Sequence, residues 1–162
     1  MTADKAARRV AASHAMAGQP DATLAALAEA LAATVGFRLF TILLHDKAAG
    51  QNRRAYSSRP VEYPVGGAKP ITDSPWMQQI FQRGEPYIGH DRDDIRTAFF
   101  DYELIWALGC ESVLNVPIQW NGSVIATLNL LHEAHWYDAV DPAAIIPLAQ
   151  LALPAILSLH QD

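Results

Sequence analysis

Residues 110–131 read CESVLNVPIQWNGSVIATLNLL. Two runs rich in branched and aliphatic residues flank Asn121-Gly122, a dipeptide suited to a two-residue hairpin turn because both central positions need positive φ. Both runs are apolar at nearly every position rather than at alternate ones, which predicts a hairpin covered on both faces. An antiparallel sheet covered on both faces implies an α+β architecture rather than an open sandwich. With Asn121-Gly122 as the turn, an unbroken ladder sets Ile118 opposite Ile125, Val116 opposite Thr127 and Leu114 opposite Asn129. That register places Ser112, Leu114, Val116 and Ile118 on one face with Thr127, Asn129 and Leu131. An apolar face bearing a few convergent polar groups is how small-molecule pockets are built, so the Ser112/Thr127/Asn129 face is expected to front a pocket. The alternative is that these groups bond only to neighbouring backbone.

Upstream of the hairpin, residues 3–17 are alanine-rich and predict a short helix ended by Gly18-Gln19-Pro20. Leu24, Leu27, Leu31 and Val35 recur at three- and four-residue spacing, which predicts a second helix capped by Asp21 or Thr23 and stopped at Gly36. Residues 37–45 (FRLFTILLH) carry the aromatic and branched side chains of a strand, and residues 54–58 form a shorter one. Residues 59–70 hold three prolines and two glycines and read as irregular, with Gly66-Gly67 as a turn. Ser74-Pro75 opens a helix that Gly84 stops. Residues 85–89 are strand-like, and a helix over about 95–108 carries Phe99, Phe100, Tyr102 and Trp106. Asp141-Pro142 begins a last apolar helix over 143–159, which Pro147 and Pro154 should kink or re-bound.

The chain has 162 residues, enough for one domain with a sizeable core, and a net charge of −5 argues against nucleic acid, whose binders carry a basic patch. A single cysteine precludes an intrachain disulfide and suits a reducing compartment. No apolar run reaches the roughly 18–20 residues that span a bilayer, and no apolar leader follows the N-terminal charges. These features lead to the expectation of a cytoplasmic, complete single domain with no membrane partner.

The middle of the chain concentrates aromatic residues. Trp76, Tyr87, Phe99, Phe100 and Tyr102 are therefore candidates, with Ser112, Thr127 and Asn129, for the wall of a ligand site. Ordinary core packing is the competing account. His132 and His135 have a spacing open to a shared metal, but zinc needs three or four ligands and no cysteine pair supports one, so no metal is assigned. Residues 90–94 (HDRDD) read as a solvated approach to a helix. Cys110 reads as a buried packing thiol, because a reactive one needs an electropositive setting and Glu111 is adjacent. No catalytic residue is assigned.

The order of elements and three local patterns resemble the GAF domain family of small-molecule sensory modules. The patterns are LAALAEALAATVGFRLFTILLHD at 24–46, SVLNVPIQWNGSVIATLNLLH at 112–132, and HWYDAVDPAAIIPLAQLALPAI at 135–156. The resemblance covers about residues 21–160. It implies a GAF-like α+β fold with a central antiparallel sheet of about six strands, helices behind it and a ligand pocket in front. Residues 1–20 would form an N-terminal helical extension and 21–162 the GAF-like domain. The complete asparagine-lysine-phenylalanine-aspartate-glutamate set of cyclic-nucleotide-binding members is not traceable. The bilin-attaching members have a cysteine followed by histidine, whereas Cys110 precedes Glu111. Free methionine sulfoxide reductases of this fold use several cysteines.

The resulting expectation is a non-enzymatic, small-molecule-sensing domain that signals through dimerisation or a partner protein. A homodimer is expected through the N-terminal and C-terminal helices, and the unidentified ligand is a small organic molecule. The alternatives are a small metabolite-modifying enzyme of GAF fold, acting through Cys110 or a histidine, and a purely structural dimerisation module. No cofactor is named by the sequence.

Overall fold

The hairpin forms where its turn chemistry demands. Strand β5 runs Ser112–Trp120 and β6 runs Ser123–His132, joined by Asn121 at φ 52° and Gly122 at φ 76°. The computed structural model describes residues 1–160, so residues 161–162 of the expected domain lie outside the described residues. Four further strands complete one sheet: β1 (Leu39–Asp46), β2 (Gln51–Ser57), β3 (Ala68–Pro70) and β4 (Tyr87–Gly89). Their spatial order is β3-β2-β1-β6-β5-β4, with every pairing antiparallel. The hairpin thus supplies two of the interior strands, which explains why both of its faces are apolar. Strand β3 lies in the proline- and glycine-rich stretch expected to be irregular; it is three residues long and ends at Pro70, as suits an edge.

Behind the sheet, α1 (Ala3–Ser13), α2 (Asp21–Thr34), α6 (Ile146–Gln150) and α7 (Leu153–His160) enclose an aliphatic core. The sheet contributes Phe40, Ile42 and Leu44 from β1, Leu114, Val116 and Ile118 from β5, and Ala126, Leu128 and Leu130 from β6. Each fully buried aliphatic side chain stabilises this layer by roughly 1.5–3 kcal/mol. Ala6 and Val10 of α1 are completely buried in the same core, so residues 3–13 pack as part of it. The expected last helix is broken into a 3₁₀ turn (Pro142–Ala144), α6 and α7, because Pro147 and Pro154 can sit only in first turns. No single helix among the described residues is long and apolar enough to cross a membrane.

The front of the sheet is covered by short pieces. Helix α3 (Pro75–Met77), capped by Ser74, continues as a π-helical stretch (Gln78–Gln82). The helix expected over 95–108 is two helices, α4 (Arg92–Ala98), capped by Asp91, and α5 (Tyr102–Ala107). Phe99 is extended and breaks them, with φ −123° and ψ 129°. Together these elements bury a second core of Trp76, Ile80, Phe81, Ile95, Phe99 and Ile105 against Leu39, Val113, Val124 and Leu131.

One expectation about the hairpin is corrected. A β-bulge shifts the register between Ile118 and Gln119, which pair with Ala126 and Val124, leaving Ile125 opposite no residue. Beyond it, Val116 pairs with Leu128 and Asn115 with Asn129, so every β6 residue from 126 onward moves one position along β5. Because side chains alternate with period two, this slip changes the face shared with each β5 residue. Thr127 and Asn129 therefore share the front face with Asn115 and Pro117, while Leu114, Val116 and Ile118 point to the helices behind.

Candidate functional site

The front face carries a row of buried amides where the back face is mainly aliphatic. The Trp76 indole Nε1 donates to Asn115 Oδ1 (3.1 Å), and Asn115 Nδ2 donates to Asn129 Oδ1 (2.6 Å). Asn129 Nδ2 in turn donates to Thr41 Oγ1 (3.2 Å). The bulge makes this ladder possible, since it sets Asn115 directly opposite Asn129. The chain of bonds runs from the helical cover across β5 and β6 to β1, and a fully bonded network of this kind fixes one arrangement of the elements it joins.

Toward the β3 edge the polarity becomes ionic. Arg54 of β2, Lys69 of β3 and Asp101 at the start of α5 have side chains only 8%, 12% and 14% exposed. Asp101 Oδ2 accepts from the Tyr63 hydroxyl at 2.6 Å and lies 3.6 Å from Arg54 Nη2; Asp101 Oδ1 lies 3.5 Å from Lys69 Nζ. Arg54 also donates to the Pro64 carbonyl (2.6 Å) and stacks over the Tyr63 ring at 3.5 Å. Burial pulls Lys69 below the ordinary lysine range, opposed by the Asp101 carboxylate. Tyr63 is pushed up by burial and then by Asp101, so its proton stays on the bond to that carboxylate. The cluster thus contains two cations and one carboxylate away from bulk water.

Two spaces adjoin these groups. An inner cavity of about 20 Å³, lined by Thr41, Arg54, Lys69, Phe99, Ile105 and Asn129 among others, has the volume of about one water molecule. An open cleft of about 740 Å³ lies at the hairpin end of the same face, lined by His45, Thr72, Met77, Phe81, Gln119 and Ser123 among others. That volume falls within the range of small-molecule sites. His45 stacks on Phe81 at 4.0 Å and meets Asn52 Oδ1 at 2.6 Å. Its pKa is lowered by burial, against the raising effect of that bond. Asn52 Nδ2 and Thr127 Oγ1 on this face, and Trp106 Nε1 in the cover, are buried without a hydrogen-bond partner in the protein. Asn52 pairs with His45, which lines the cleft, and with Lys69, which lines the cavity, and Thr127 pairs with Leu43, which also lines the cavity.

With the sheet, its covering helices and this front face described, comparison with known proteins is decisive for the family. Residues 19–152 match the family model of the GAF domain. The chain belongs to the GAF family. Its fold is shared with the GAF domain of an Acinetobacter phosphoenolpyruvate-protein phosphotransferase, at 15% identity and TM-score 0.72, covering 97% of this chain and 93% of that one. The GAF domain of a Bacillus halodurans two-component sensor histidine kinase superposes with TM-score 0.70 at 15% identity, covering 89% of this chain and 99% of that one. A free methionine-R-sulfoxide reductase from Neisseria meningitidis, solved in complex with its substrate, gives TM-score 0.71 at 18% identity, covering 98% and 90%. At these identities the likeness carries the fold alone. No curated protein is significantly similar in sequence. GAF domains are typically sensory or regulatory modules, and these neighbours span signalling proteins and an enzyme.

Within this GAF fold the sequence-predicted wall divides. Trp76, Phe99, Thr127 and Asn129 come together on or against the front face, and Trp76 meets Phe99 edge-on at 5.1 Å. Tyr87 packs against the same front core from β4, opposite Asn115. Tyr102 meets Trp106 edge-on at 4.9 Å and also borders that core. Phe100 is 75% exposed and points away from it, near Lys69 Nζ at 4.8 Å. Ser112 falls on the opposite parity of β5 and donates to the Glu133 carbonyl at 2.6 Å. Asn52, Arg54, Tyr63, Lys69 and Asp101 were missed. They lie in segments with no clear apolar alternation, and only the topology brings them together.

Cys110 is buried against Leu108 and pushed up to about 11 by burial, so at neutral pH it is a thiol rather than a thiolate. His132 stacks on Trp136 at 3.7 Å, whereas His135 and His90 bond to opposite oxygens of Asp138 at 2.9 and 2.6 Å. Among the described residues, no three His, Cys, Asp or Glu side chains gather as metal ligands. The aromatic pair Trp136-Tyr137 ties the final loop to the end of α2: Trp136 Nε1 donates to the Val35 carbonyl and Tyr137 to that of Gly36. Gly36 has φ 86°, and a Cβ there would meet the Trp136 ring at 3.2 Å, so both its conformation and its neighbour favour glycine.

Proposed function

We propose that this GAF domain is a non-enzymatic sensor that binds a small organic molecule in front of its sheet. The observation that carries the reading is that two unpartnered polar atoms, Asn52 Nδ2 and Thr127 Oγ1, are buried in the sheet beside residues that line a ligand-sized cleft and the inner cavity. A front layer that only stabilised the fold would gain by replacing them with apolar groups, because each buried unbonded polar group costs about 1–3 kcal/mol. A ligand crossing from cleft to cavity would supply the missing partners. The cover above this path is built from α3, its π-helical continuation and the α4–α5 pair, short elements of the kind that move at modest energy.

The signal then passes by self-association or to a partner protein, with α1 and α7 as the dimer surface. An enzymatic reading through Cys110 is disfavoured by its burial and raised pKa. The test is native mass spectrometry of freshly purified protein together with the Thr127→Val variant. A retained small molecule in wild type that is lost or weakened in the variant supports the reading. Retention of nothing, and no stabilisation of wild type across a library of metabolites, would contradict it. Light scattering at micromolar concentration reads the dimer separately, and a monomeric mass would count against that part alone.

A further inference from the structure

The buried ion cluster says something about the chemistry of the ligand, an inference that rests on the sensing reading above. Arg54 and Lys69 bring two positive charges into the front layer, and Asp101 brings one negative charge. The pairing is loose as well as unequal. Arg54 and Lys69 stand 3.6 and 3.5 Å from the Asp101 oxygens, beyond the 2.7–2.9 Å of a tight charge-assisted bond. The short bond to Asp101 comes from the neutral Tyr63 hydroxyl, at 2.6 Å. A surplus cation in a region of low dielectric favours any anion that can reach it.

We propose that the ligand is a small organic acid whose carboxylate takes the place of Asp101 between Arg54 and Lys69. The inner cavity, lined by both cations, has about 20 Å³, too little for a second carboxylate beside the first. Binding there must therefore displace Asp101 rather than add to it. Asp101 is well placed to leave. It sits in the three-residue link Phe99–Asp101 between α4 and α5, and its neighbour Phe100 is already largely in solvent. In the unliganded protein its carboxylate is a stand-in for the ligand's, tethering the α4–α5 cover to β2 and β3. Exchange of one carboxylate for another releases that tether with the charge of the cluster unchanged, and the gain is that a free carboxylate can close on both cations more tightly than Asp101 does at 3.6 and 3.5 Å. The organic remainder of the acid extends past Asn52 and Thr127 toward the His45–Phe81 stack, which offers an apolar, aromatic surface at the cleft.

The experiment compares propionate and benzoate with their uncharged amides, at matched ionic strength, by thermal unfolding and calorimetry of the whole chain. Asp101→Asn keeps the shape and a partner for Tyr63 but removes the competing charge. Its melting temperature should fall, the two acids should restore part of the loss, and they should bind at least fivefold tighter than to wild type. The amides should do neither. Lys69→Met removes the surplus cation and should abolish the response to acids in an otherwise folded protein, which keeps the inference testable if Asp101→Asn does not fold. Equal responses to acids and amides, or an unchanged acid response in Lys69→Met, would overturn the proposal. A neutral molecule retained by the purified protein, with no response to either acid in any variant, would also overturn it while leaving the sensing reading standing. If no molecule of either kind binds, both readings fall.

Discussion

The two faces of one sheet are built on opposite principles. Behind it, β1, β5 and β6 present mainly aliphatic and aromatic side chains to long or proline-broken helices. In front, the same three strands present Thr41, His45, Asn115, Thr127 and Asn129 to a cover of short helices. The named residues of both faces are buried, so solvent does not explain the difference. An aliphatic layer tolerates many sequences and gives stability. A polar layer is worth having only where its hydrogen bonds are complete or where something else completes them. The back face is a foundation, and the front face is where this chain departs from what stability alone would select.

The largest expected effect probes the foundation. Leu128→Ala in the back core should destabilise by about 2–5 kcal/mol in denaturant unfolding, because a fully buried aliphatic side chain is lost and a cavity remains. In front, Asn129→Leu should cost about 1–3 kcal/mol, since it strands the amide donor of Asn115 and removes the donor to Thr41. Thr127→Val should go the other way, stabilising the unliganded protein by about 1 kcal/mol because its hydroxyl is buried without a partner. A destabilisation of the same size as at Leu128 would erase the contrast between the faces.

The smallest effects lie in the pH dependence. His45 has a lowered pKa, so its neutral form is the one the fold favours. Its stabilising contribution is present above the ordinary value of about 6.5 and is lost as pH falls toward the lowered value. Stability should therefore decline on mild acidification, and His45→Gln should flatten that decline. His90 behaves oppositely, its pKa raised chiefly by the bond to Asp138. Its contribution is complete below about 6.5 and fades as pH rises through the raised value, and His90→Gln should remove that alkaline loss. Melting curves of the two variants across this range separate the terms.

The fold was readable because the hairpin announces itself twice. Asn121-Gly122 dictates the turn, and continuous apolar runs on either side require a covered sheet. The site was readable only in part. Asn129 and Thr127 are polar residues in an apolar strand and stand out. Their neighbours were misassigned because a single extra residue, Ile125, bulges out of the ladder and no residue type marks it. Arg54, Tyr63, Lys69 and Asp101 left no trace, since charged residues in β2, in a proline-rich loop and between two short helices look like solvated surface. Their burial follows from β3 pairing along the β2 edge and the α4–α5 link folding over the front face, which is a tertiary fact.

The central claim is that the front face completes its bonding with a ligand. Its most direct test is titration of the wild-type protein with propionate and benzoate, followed by the side-chain amide signals of Asn52 and Asn129 in nuclear magnetic resonance. Saturable shifts of the Asn52 signals, absent with the matching amides and absent in Lys69→Met, are the predicted result. Signals that stay fixed at every concentration of acid, and stay fixed also with any molecule the purified protein retains, would contradict the account.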